Sequence, residues 1–237
     1  MGRIFEKRKD RMFARWAKTA KAFTKMGKEI AISVKLGGPD PTTNPRLRMA
    51  VQMARGLNMP KDRIEAAIKR ASSKDEASLQ EVAYEGYGPH GVAIVVLTAT
   101  NNPTRTVANV RSIFSHHQGS LGTTGSLDYL FGCRGFFTIK PPRQDMDEFE
   151  LELIDHGLED IFESEDGLLL YTTFENFGAM QRALEEKHIE VLSAGLQRFP
   201  LTTVELGEAE RSGIEAMVNE LEEDDDVQHV YHNMRVE

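Results

Sequence analysis

Leu158-Glu-Asp-Ile-Phe-Glu-Ser-Glu-Asp-Gly-Leu-Leu-Leu-Tyr171 is the stretch on which the fold turns. Leu158 to Glu163 reads as a strand, Asp166-Gly167 is a hairpin signal, and Leu168 to Tyr171 is the returning strand. Working outward, Met146, Phe149, Leu153 and Ile154 recur at helical spacing before Gly157. Phe177, Met180 and Leu184 do the same on the other side. Phe136 to Ile139 and Ile189 to Phe199 read as flanking strands. The order over 135–203 is therefore β-α-β-β-α-β, the ferredoxin-like arrangement. Further out, Glu81 to Tyr84, the apolar run Val92 to Leu97 and Leu127 to Phe131 read as strands. A helix using Val107, Val110, Ile113 and Phe114 lies among them. Near the end, Ile214, Met217, Val218 and Leu221 form a helical stripe and Val227 to Asn233 a strand. These outer pieces are expected to join in a second ferredoxin-like sandwich. The expected class is α+β with three domains: a basic all-helical domain over 1–76, a discontinuous α/β domain over 77–134 and 204–237, and the inserted domain over 135–203.

The 237 residues are 40% hydrophobic and 28% charged, a globular balance that excludes wholesale disorder. No apolar run approaches the ~18 residues of a membrane span. The start, Met1-Gly-Arg-Ile-Phe-Glu-Lys-Arg, has no apolar core of the secretory kind. One cysteine, Cys133, excludes an internal disulfide and a cysteine-based zinc finger. A reducing, cytoplasmic setting is expected. The net charge of −8 conceals a split. Residues 1–74 hold 19 Lys and Arg against six Asp and Glu, a net of +13. Residues 75–237 hold 10 against 31, a net of −21. The first segment should seek polyanions and the remainder should be repelled by them.

The basic segment reads as helices. Phe23, Met26, Ile30 and Val34 form a stripe that Gly37-Gly38-Pro39 ends. Asn44-Pro45 opens a second helix with Leu47, Val51 and Ala54 inside. A third, from Pro60-Lys61, uses Ile64, Ala67, Ile68 and Ala71. Ser72-Ser-Lys-Asp75 reads as a hinge. The candidate nucleic-acid contacts are Arg15, Lys18, Lys21, Lys25, Lys28, Lys35, Arg46, Arg48, Lys61, Arg63, Lys69 and Arg70. Lysine heads meet phosphates as point charges and arginine forks meet them bidentately. Trp16 stacks on a base or sits in a core. Tyr84, Tyr87 and His90, around the turn Gly86 to Gly91, are candidate tip contacts for a base or peptide.

Other features read as structural. Gly119-Ser-Leu-Gly-Thr-Thr-Gly125 lacks the lysine ending of a phosphate-binding loop and is expected to be a turn. His116 and His117 point about 100° apart on a helix, and no third ligand follows at metal-site spacing, so no metal is expected. Glu222 to Asp226 marks a helix end and lacks the pattern of a calcium loop. No nucleophile elbow, triad or carboxylate pair stands out. The expectation is a non-enzymatic chain with no cofactor, no small-molecule substrate and no membrane. The acidic domains offer a possible surface for a basic protein.

Several motifs carry a resemblance. They are Phe23 to Ile30, Lys35 to Asp40, Asn44 to Arg48, Asn58 to Asp62, Ile64 to Arg70, Tyr84 to Pro89, Arg105 to Val107, Gly119 to Gly122 and Asp226 to Asn233. In that order, over nearly the whole chain, they resemble the YebC/PmpR family, relatives of the mitochondrial translational activator of cytochrome c oxidase. The resemblance implies a basic helical domain and two α/β domains, one inserted in the other, and no catalysis. It implies a DNA-binding transcriptional regulator or a translation factor at the ribosome. It carries Lys25, Lys28, Lys35, Arg46, Arg48, Lys61, Lys69 and Arg70 over as contacts. Two departures stand out: members usually begin Gly-His-Ser-Lys-Trp, and His90 stands where a glycine is common. From charge and resemblance together the expected partner is ribosomal RNA at the ribosome, with promoter DNA as the alternative.

Overall fold

The computed structural model describes residues 2–73, 79–142, 145–164 and 167–235, with side chains from residue 19 onward. Arg15, Trp16 and Lys18 are thus outside the described side chains, and Lys74, Asp75 and Asp166 outside the described residues. The described part is a mixed α/β protein with seven α-helices and two four-stranded antiparallel sheets. None of its helices is long and apolar enough to cross a membrane.

Helices α1 (Gly2–Gly37), α2 (Pro45–Gly56) and α3 (Lys61–Ala71) pack on one another. Met26, Ile30, Val34, Leu47, Val51, Ala54 and Ile64 close a core of their own, and Phe23 packs at its edge. Burying the larger of these side chains stabilises the unit by roughly 2 kcal/mol each. Asn44 makes the α1–α2 corner. Its side-chain oxygen accepts the Leu47 amide at 3.1 Å, capping α2, while its Nδ2 donates to the Ser33 and Gly38 carbonyls at 2.7 and 2.8 Å. A Cβ at Gly37 would lie 2.7 Å from this Asn44 side chain, so the corner needs a glycine there.

The first sheet takes β1 (Gln80–Tyr87), β2 (Ala93–Thr100), β3 (Ser120–Leu121) and β8 (Val227–His232), in the order β3-β1-β2-β8. Helices α4 (Pro103–His116) and α7 (Glu208–Glu223) cover one face. Val96, Val110, Phe114, Ile214, Met217 and Leu221 meet between them. The second sheet takes β4 (Phe131–Ile139), β5 (Leu158–Ser164), β6 (Gly167–Thr173) and β7 (Val191–Pro200), in the order β5-β6-β4-β7. Helices α5 (Met146–Ile154) and α6 (Phe177–Glu186) seal it through Phe137, Phe149, Leu153, Leu170, Met180 and Leu184.

The second sheet has the expected β-α-β-β-α-β order. The first does not: its chain order is β-β-α-β, then α-β after the second sheet, so the expectation of a second ferredoxin-like sandwich is corrected. Residues 128–130 form a 3-10 turn rather than the expected strand, and β4 begins at Phe131. The cause is Glu85, buried at 3% exposure. Its carboxylate accepts the Gly125 amide at 2.9 Å and the Leu127 amide at 2.7 Å, which bends this segment away from ladder pairing. Only Ser120 and Leu121 are left to pair with β1. From Phe131 the chain pairs with β7 instead, so β4 runs unbroken across the boundary expected at 134/135.

Candidate nucleic-acid interface

The expected basic contacts divide into two groups. The first faces solvent. On α3, burial of Ile64 and Ala71 turns Lys61, Arg63, Lys69 and Arg70 outward, and all four are exposed. Lys61 lies 3.5 Å from Glu65 one turn on, and the Arg63 guanidinium sits 5.8 Å from the centre of the Phe23 ring. Lys35 is exposed in the last turn of α1, where a cation suits the helix dipole. Arg55, in the last turn of α2, is exposed as well. Lys21 is half-buried.

The second group faces the acidic body. Lys28 donates to Asp226 Oδ1 at 2.6 Å and to the Asp225 and Ala99 carbonyls at 2.8 and 3.0 Å. All three of its ammonium protons have partners within the molecule. Arg46 forks between Glu29, with Nε 2.9 Å from Oε1, and Glu81, with Nη2 2.5 Å from Oε1. The hydrogen bond to Glu81 first, and then Glu29, holds its guanidinium above the ordinary arginine range against the opposing effect of burial. Arg48 Nε lies 3.6 Å from Glu185 of α6. Lys25 is half-buried, and burial lowers its pKa although Glu222, Asp225 and Asp224 counter the effect. Charges that read as ligand contacts in the sequence therefore pin the helices to the sheets.

Asp226 is the centre of that junction. Its side chain is 8% exposed and also accepts from Arg105 Nη2 at 2.7 Å, the Thr106 hydroxyl at 2.9 Å and the Thr100 hydroxyl at 3.2 Å. Burial pushes the carboxyl up, but the hydrogen bonds from Lys28, Arg105 and Thr106 outweigh it and hold the pKa at about 2. Sequence reading treated Asp226 as the end of an acidic run. Its setting as the one buried residue of that run, just ahead of β8, is what distinguishes it.

The expected tip separates too. The Tyr84 hydroxyl donates to the Pro103 carbonyl at 3.3 Å, and its ring packs at the edge of the first-sheet core, so it is not a tip residue. Tyr87 is exposed, with its hydroxyl 3.2 Å from that of Tyr129, itself 69% exposed. His90 holds φ at 59° in the Pro89–Gly91 turn, a left-handed conformation that glycine adopts at less steric cost than a residue with a side chain. Its Nδ1 lies 3.4 Å from Glu210 Oε1. The Gly119–Gly125 loop is only in part the expected turn: Ser120 and Leu121 pair with β1 as β3, and Glu85 holds the turn that follows by accepting the Gly125 amide. His116 and His117 both reach Glu220 of α7, at 3.7 and 2.7 Å, a partner that spacing along the chain could not reveal.

Residues 3–74 match the model of the TACO1/YebC protein N-terminal domain, and residues 79–234 that of the TACO1/YebC second and third domain. A "probable transcriptional regulatory protein" of Flavobacterium johnsoniae is 50% identical over 237 residues, all of both chains. One from Anaeromyxobacter dehalogenans (strain 2CP-1) is 53% identical over 239 aligned positions, covering 99% of this chain and all of the relative. A crystal structure of a conserved hypothetical protein from Aquifex aeolicus superposes with a TM-score of 0.81 at 36% identity, covering 92% of this chain and 91% of that one. With both models matching in sequence order and identity near one half along its length, this chain belongs to the TACO1/YebC family.

Proposed function

We propose that the chain is a non-enzymatic cytoplasmic regulator of gene expression that docks on structured RNA, at the ribosome, through its helical unit. The carrying observation is the row of exposed cations on α3, Lys61, Arg63, Lys69 and Arg70, with Lys35 on α1, in a molecule whose remainder is strongly acidic. Cations grip phosphates with little base preference, and the acidic sheets confine the contact to one side. The names of the relatives support the wider reading as a regulator of gene expression. In this reading the helical unit and the two sheets act as three domains, and the Tyr87–Tyr129 edge meets the partner after docking.

A second reading, promoter DNA, has its own observation. Only Leu57 to Pro60 separates α2 from α3, a connection of helix-turn-helix length, and α3 carries four exposed cations where α2 exposes only Arg55.

Lysate sedimented through sucrose at near-physiological salt tests the proposal. Wild type should travel with ribosomes, and a Lys61→Glu, Lys69→Glu, Arg70→Glu variant should stay at the top. Wild type remaining at the top overturns ribosome docking. Duplex DNA binding that weakens by roughly 0.9 in log affinity per log salt for each phosphate held would then favour the promoter reading.

A further inference from the structure

The junction between α4 and α7 carries chemistry that the docking surface does not use. Helix α4 ends at His116, His117 caps it, and Gln118 turns left-handed at φ 61°. The two imidazole rings lie 5.2 Å apart at the tip of the helix. Glu220, in the last turn of α7, faces both. We propose that His116, His117 and Glu220 form a binding site for one divalent transition-metal ion of the zinc class.

The geometry suits such an ion. Glu220 Oε2 lies 2.7 Å from His117 Nε2 and 3.7 Å from His116 Nδ1, and a ligand atom from each of the three residues falls within 4.8 Å of the others. Zinc held at ~2.0–2.2 Å in tetrahedral geometry sets its ligand atoms about 3.4 Å apart, inside that range. His117, 19% exposed, is the fixed member. His116 at 74% and Glu220 at 40% have room to close on the ion by rotamer change. Two imidazoles and one carboxylate select zinc, copper or nickel over calcium and magnesium, which favour all-oxygen cages.

The fourth position opens toward a cleft of about 270 Å³, lined by His116, His117, His90, Gln118 and Glu210. Solvent completes the coordination there, as in zinc sites with three protein ligands. The ion would cross-link α4 and α7, whose side chains build the first-sheet core. Helix α7 leads directly into the Asp224–Asp226 segment that anchors Lys28. The site thus reinforces the junction between helices and sheets, independently of which nucleic acid is bound.

The test uses the full chain, freed of any polyhistidine tag and titrated calorimetrically with zinc chloride near pH 7.5. Wild type should take up one zinc per chain and melt at a higher temperature with zinc than without. Glu220→Gln and His117→Ala should each weaken uptake by at least the roughly tenfold that loss of a mere supporting group costs. His156→Ala, at a histidine outside the cluster, should leave uptake unchanged, and magnesium should give none. Circular dichroism confirms that each variant is folded. Absence of saturable zinc uptake overturns the proposal, as does uptake undiminished in both folded ligand variants.

Discussion

The two faces of the helical unit use the same residue types for opposite purposes. Lys28, Arg46 and Arg48 lie against carboxylates of other elements (Asp226, Glu29 with Glu81, and Glu185 of α6), while Lys35, Lys61, Arg63, Lys69 and Arg70 are exposed on the surface, Lys61 beside Glu65 of its own helix. A cation whose donors are satisfied inside the molecule contributes to holding bodies together. An exposed cation contributes little to stability and leaves its charge available to a polyanion. The net charge of +13 therefore overstates the surface offered to a ligand. It also follows that charge reversal at Lys28 or Arg46 would test the integrity of the junction before it tested binding.

The contrast is most sharply broken at Asp226. Asp226→Asn should lower unfolding free energy by roughly 2 kcal/mol, because the half-buried Lys28 ammonium and the Arg105 guanidinium lose their counter-charge. Urea titration followed by circular dichroism measures it. Acid should dissect the same contact. The folded pKa of about 2 lies below the ordinary 3.8, so the carboxylate contributes stability above pH 4 that is lost as pH falls toward 2. That contribution is about 2 kcal/mol, and Asp226→Asn should flatten the pH profile of stability between those limits. Arg46→Ala removes a partly exposed pair of contacts and should cost about 1 kcal/mol or less. Lys69→Glu with Arg70→Glu should change stability by no more than about 0.5 kcal/mol per site. If those cations hold phosphates, the pair should nonetheless lower the salt slope of nucleic-acid binding by nearly two. A loss of stability in this pair matching that of Asp226→Asn would erase the distinction between the faces.

Elements whose cores are local were legible in sequence. The stripe Met26, Ile30, Val34 and the cap Asn44-Pro45 specify their helices through contacts a few residues away, and both are found as expected. The second sheet was legible because each strand and helix in it follows the last in chain order. The first sheet was harder, since β8, which pairs with β2, follows the whole second sheet along the chain, and Glu85 holds a segment 40 residues on. Tyr84 looked like a tip residue because a tyrosine beside a glycine turn has no face until its sheet is assembled. His116 and His117 looked ligand-poor because Glu220 is 103 residues from His117.

Sequence alone determined the charge division, the helical character of residues 19–71, the strand-helix order of 135–203 and the family. All of these rest on composition, short-range periodicity or motif order, which survive any arrangement of the parts in space. Tertiary structure decided which cations are half-buried against carboxylates and which are exposed, where β4 begins, and that two histidines share a carboxylate. Those outcomes depend on pairing buried charge and buried amides with partners far along the chain. The cost of leaving such groups unpaired exceeds the local preferences of the segments that carry them.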